Sequence, residues 1–146
     1  IPAFAADFLL DTTRAALSYA KSGGLERYPD LKIILSHGGG FLPYAAERVA
    51  RICSPDGGNE AGIARLQQFY FDVALSSSPY ALPALLAFAR PTHISYGSDW
   101  PYAPKARGLH FADLPGGDIA VLEDTQERGA VAFEQQVELQ ALLQGR

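Results

Sequence analysis

The chain has 146 residues, 48% hydrophobic and 19% charged, with 12 Lys and Arg against 16 Asp and Glu for a formal net charge of −4. That is the composition of one globular domain and excludes a disordered segment, while the scattered basic residues argue against nucleic-acid binding. No apolar run reaches the roughly 20 residues of a membrane helix, no basic segment precedes an apolar one at Ile1-Pro2-Ala3-Phe4, and the single Cys53 precludes an internal disulfide and fits a reducing, cytoplasmic setting.

In chain order, Asp7 to Lys21 is predicted as a helix, with Phe8, Leu9, Ala16, Leu17 and Ala20 near helical spacing and Gly23-Gly24 ending it. Tyr28-Pro29-Asp30 is a turn into a first strand at 31–35 (LKIIL), which stops at Ser36-His37-Gly38-Gly39-Gly40. A helix follows from Leu42 to Cys53, then a loop at 54–59 and a short helix from Glu60 to Gln67. The second strand is 69–75 (FYFDVAL), broken by Ser76-Ser77-Ser78-Pro79 ahead of a helix from Tyr80 to Ala89. Pro91-Thr92 leads into the third strand, 93–96 (HISY), which ends at Gly97-Ser98-Asp99-Trp100-Pro101. Tyr102 to Gly117 is loop-like, and Asp118 to Gln144 is helix-biased. Short apolar strands alternating with helices imply an α/β fold with a buried parallel sheet and right-handed crossovers.

Two strands end in residues able to bind metal or move protons: His37 after LKIIL and Asp99 after HISYG. In parallel β/α proteins such residues share the C-terminal edge of the sheet. With one strand between them they stand about 10 Å apart, two spacings of about 4.8 Å. A bland role is open to each: His37 closing its strand by bonding to backbone, and Asp99 forming an Asx turn before Trp100-Pro101. The three glycines after His37 permit close backbone approach to a ligand, but no Gly-Lys-Ser/Thr follows, so this is not a phosphate-cradling P-loop. Asp72, the only charge in FYFDVAL, either orients His37 or anchors a loop. Trp100 and Tyr102 either line an aromatic pocket or pack the loop. Cys53 reads as packing, Arg14 as a surface or helix-pairing arginine, His93 as structural at the opposite end of its strand, and His110 as an exposed loop histidine.

The segments DTTRAALSYAKSGGLERYPDLKIILSHGGGFLPYAAER, FYFDVA and YGSDWPYAP resemble the C-terminal half of the metal-dependent amidohydrolase-related family, in the branch of aminocarboxymuconate-semialdehyde, resorcylate and methylsalicylate decarboxylases. The resemblance runs from about Phe8 to Pro104 and implies the C-terminal portion of a (β/α)8 TIM barrel, with the three strands as its sixth to eighth. It implies Asp99 as a metal ligand, His37 beside the metal acting on water or substrate, and both assisting protonation at the carbon that loses CO2. Arg48 falls where some relatives place an arginine that reaches the substrate carboxylate, sometimes across a dimer interface, and Gly39 and Trp100 are expected at the substrate. The cofactor implied is a divalent metal, zinc first and manganese second. The family's His-x-His of the first strand and its histidine after the fifth strand do not occur in this sequence. With the lack of any methionine, that fits residues 1–146 being the C-terminal part of one barrel domain from a longer product. The expected function is decarboxylation of an aromatic or unsaturated carboxylic acid. The alternatives are hydrolysis of a lactone or amide on the same scaffold, or a non-catalytic fragment serving as an interaction module. Expected partners are a small carboxylic acid and a second copy of the chain in a homodimer or other oligomer, with neither nucleic acid nor membrane.

Overall fold

A computed structural model of the chain describes residues 1–54, 57–97, 99, 101 and 102. The helix expected over 118–144, together with Trp100 and His110, lies outside the described residues.

The first helix, α1 (Asp7–Lys21), has the bounds read from its periodicity. Asp7 in its first turn and Lys21 in its last both suit the helix dipole. Its inward stripe is small, Thr13, Ala16 and Ala20, so the helix lies close to its neighbours. Gly23, at φ +78°, turns the chain into a short helix, α2 (Gly24–Arg27), ahead of the expected turn at Tyr28-Pro29-Asp30. Leu25 explains it: once the chain reverses, one helical turn brings this side chain into the core.

The remaining elements alternate: β1 (Ile34–Leu35), α3 (Leu42–Ala50), α4 (Asn59–Leu66), β2 (Tyr70–Asp72), α5 (Leu82–Phe88) and β3 (Ile94–Ser95). A 3-10 turn at Arg51–Cys53 takes up the last residues of the helix expected to run to Cys53. The strands form one parallel sheet in the order β1-β2-β3, with Ile34 opposite Tyr70, and Phe71 opposite both Leu35 and Ile94.

All three strands are shorter than their apolar runs. Leu31 to Ile33 leads into β1, and only the Ile33 carbonyl joins the ladder, accepting from Tyr70 N–H at 2.9 Å. The Asp72 carboxylate ends β2 by accepting the Ala74 N–H at 3.0 Å, which bends the chain away from the sheet. His93 belongs to a 3-10 turn ahead of β3. Its Nδ1 meets the Phe69 carbonyl at 3.0 Å and its ring stacks on Tyr70 at 4.1 Å, a structural place at the N-terminal end of the strand, as expected.

Alternation divides the sheet into two faces. Leu35, Phe71 and Ile94 are buried under the helices, and Phe71 meets Phe88 edge to face at 5.8 Å. Ile34, Tyr70, Asp72 and Ser95 occupy the other face; Ile34 is exposed and the rest are half-buried. No helix among the described residues is long and apolar enough to cross a membrane.

Candidate functional site

Because the strands are parallel and β2 lies between the other two, the segments after β1, β2 and β3 emerge at the same edge. Each contains a non-glycine residue in the left-handed region: His37 (φ +55°), Leu75 (φ +54°) and Asp99 (φ +57°). That conformation is uncommon outside glycine, and such backbone clusters where side chains are held for a task.

Asp72 joins these segments. One carboxylate oxygen accepts the His37 and Ala74 main-chain N–H groups, each at 3.0 Å. The Ala74 carbonyl in turn lies 2.9 Å from His37 Nδ1. A carbonyl only accepts, so Nδ1 carries the proton and Nε2 is the ring position left to take or give one. On the other side Gly97 packs on Asp72: a β-carbon there would stand 3.0 Å from the Asp72 Cβ, Cγ and Oδ1 atoms. Burial pushes the Asp72 carboxyl above its ordinary range; the two N–H bonds and the His37 ring oppose this, and the Asp99 charge adds to it. Asp72 therefore anchors the loop and, through main chain alone, sets the His37 ring.

His37 and Asp72 are thus in direct contact, Asp99 acts on Asp72 electrostatically, and all three are half-buried. His37 also makes the backbone bonds of its bland reading, so the two readings coincide. Beyond β3, the Tyr102 N–H donates to the Asp99 carbonyl at 2.8 Å. From α1, Thr13 steadies the far side of the His37 loop: its hydroxyl donates to the Leu9 carbonyl and accepts the Phe41 N–H, both at 2.8 Å.

Arg48, expected to reach a substrate carboxylate, is exposed in the last turn of α3, about 9 Å along the helix axis from Leu42. Gly39 is buried at φ +76°, and a β-carbon there would lie 2.9 Å from the Phe71 ring. Packing requires this glycine, a role the sequence reading did not give it. Trp100 lies outside the described residues.

Sequence reasoning missed two supports. The Ala74 carbonyl is main chain and leaves no sequence signal. Arg65 on α4 reaches Glu26, the Ala20 carbonyl and the Cys53 carbonyl, tying α1, α2 and the turn after α3 together; its isolated position in an amphipathic helix gave no hint.

Among the described residues no group of three His, Cys, Asp or Glu could hold a metal ion. The Asp99 carboxylate and His37 Nε2 are donor types that divalent ions take, and together they are one short of the three protein ligands usual in catalytic zinc sites.

A parallel β/α segment carrying a histidine and two carboxylates at the carboxyl ends of its strands defines a portion of a (β/α) barrel with its chemistry on the usual rim. The chain belongs to the amidohydrolase family, whose pattern it matches over residues 6–128. It is 42% identical over 113 residues to the 6-methylsalicylic acid decarboxylase of Penicillium expansum, covering 74% of this chain and 35% of that protein. It is 37% identical over 127 residues to the 6-methylsalicylic acid decarboxylase acuB of Aspergillus aculeatus, covering 81% and 38% respectively. A crystal structure of an amidohydrolase II superposes with a TM-score of 0.64 at 33% identity, over 77% of this chain and 37% of that one. The chain thus spans little more than a third of the length of the curated relatives it matches. Amidohydrolases commonly use a divalent metal.

Proposed function

We propose that residues 1–146 are the C-terminal part of one barrel domain, and that the protein decarboxylates an aromatic carboxylic acid of the salicylate type. The observation that carries this is the fixed His37 ring, with Nδ1 on the Ala74 carbonyl and Nε2 available on the edge shared with Asp72 and Asp99. Similarity to two 6-methylsalicylic acid decarboxylases supports the substrate class.

Aryl decarboxylation exchanges a carboxylate for a proton at one ring carbon. The C–C bond breaks, CO2 leaves, the electron pair stays on the ring carbon, and one proton is taken up. His37 Nε2 gives that proton; the Nδ1 bond keeps the ring aimed and stabilises the imidazolium before transfer. Asp72 holds the loop so that the aim is not lost. Asp99 is this part's ligand for a divalent metal, zinc first and manganese second, with the His37 ring beside it and the other ligands contributed from elsewhere in the domain. When bound, the metal supplies Lewis-acid binding of the substrate's oxygens. The protein is proposed to work in the cytoplasm as a homodimer or other oligomer.

The test is carboxyl-labelled 6-methylsalicylic acid given to the full-length protein. Labelled CO2 and the methylphenol are expected, with kcat down about 10²–10⁴-fold in His37→Asn, the range of general acid–base catalysis. Asparagine tolerates the positive φ, so the loop should survive. Recovery of intact acid, a hydrolysed product in place of CO2, or an undiminished His37→Asn rate refutes the reading.

A further inference from the structure

We propose that Leu75 is a specificity-determining residue, the apolar surface against which the ring of the aromatic acid rests; this builds on the decarboxylase reading above. Leu75 follows β2, the central strand, and so emerges between the segments that carry His37 and Asp99. It occupies the third position of a turn over 73–76 closed by the Ser76 N–H on the Val73 carbonyl at 2.9 Å. With φ at +54°, that position favours glycine or asparagine, and a leucine there is costly.

Packing among the described residues does not explain the leucine. Val73 and Ala74 are 2% and 4% exposed, whereas Leu75 is 48% exposed. A strained backbone carrying an exposed isobutyl group is what remains when a side chain is kept for a contact outside the core. The turn is also held in register with the proton donor: Ala74 gives its N–H to Asp72 and its carbonyl to His37 Nδ1. Leu75 is thus one residue from the atom that aims the imidazole. The neighbouring segments of this edge carry His37 and Asp99, and its own carries Asp72 and the half-buried Ser76, Ser77 and Ser78, all polar. The leucine provides the apolar surface a ring needs, while the polar groups meet the carboxylate and hydroxyl.

The test compares Leu75→Gly and Leu75→Asn with the parent full-length enzyme, using 2-hydroxybenzoic acid and its 6-methyl derivative. Both replacements accept the positive φ, so each variant should melt at or above the parent temperature. KM for the methylated acid is expected to rise about tenfold, the scale of a lost apolar contact, with kcat within about twofold and the preference for the methylated acid lost. Folded variants with the parent's KM values and preference overturn the proposal. So does a marked drop in melting temperature for both, which would make Leu75 a support of the fold. A parent that neither binds nor turns over either acid defeats the decarboxylase reading and this contact with it, whereas an active parent with unaltered variants defeats the contact alone.

Discussion

Replacing Asp72 with alanine removes the shared acceptor of the His37 and Ala74 N–H groups, each bonded at 3.0 Å. A hydrogen bond to a charged group contributes about 1.5–3 kcal/mol, or about 3–6 kcal/mol for the two together. Part returns, because burial disfavours the carboxylate and pushes its pKa up. A net loss of about 2–4 kcal/mol follows for Asp72→Ala. Asp72→Asn keeps a carbonyl oxygen in the same place without the desolvated charge, and should stay within about 1 kcal/mol of the parent. Activity separates the two variants further. Alanine frees the His37 loop, and a displacement of about 1 Å costs roughly 10²-fold in rate; asparagine holds it. Urea denaturation and CO2 release on the full-length protein check both. A parent-like Asp72→Ala refutes the loop-anchoring argument. An Asp72→Asn as damaged as the alanine variant shows that charge, and not the acceptor position, is what matters.

Gly39→Ala should cost about 2–4 kcal/mol, combining a left-handed alanine with a β-carbon 2.9 Å from the Phe71 ring. Adding Phe71→Leu should restore part of the loss in chemical denaturation, and strict additivity would contradict the clash. Arg65→Lys should destabilise by about 1–3 kcal/mol, because an ammonium cannot serve Glu26, Ala20 and Cys53 at once. The Arg65 hydrogen bonds hold the Glu26 carboxyl below its ordinary value, so its stabilisation is present above that value and is lost as pH falls through the lowered one. The effect is small because the Glu26 side chain is 53% exposed. The stability gap between parent and Glu26→Gln should close as pH falls from 6 to 3, and a constant gap would contradict the assignment.

The alternation of strands and helices was legible because each β run is largely apolar and ends at Ser or Gly, and because α1 keeps one period throughout. His37 and Asp99 were legible for a related reason: a titratable residue after a buried strand emerges on the rim by topology alone. Strand length was not legible, because an apolar run becomes ladder only where a partner lies beside it. Leu31 and Lys32 precede the paired residues of β1, and Asp72 bends the chain after only three residues of β2.

By itself, the sequence determined the order of elements, the parallel α/β class and which titratable residues follow strands, since these depend on local periodicity and on where punctuation falls. Only the tertiary structure decided that Asp72 grips His37 across 35 positions, that Gly39 exists for the Phe71 ring, and that Arg65 joins three elements. Those contacts bridge residues far apart in the chain, and no local pattern encodes a partner that only folding brings near.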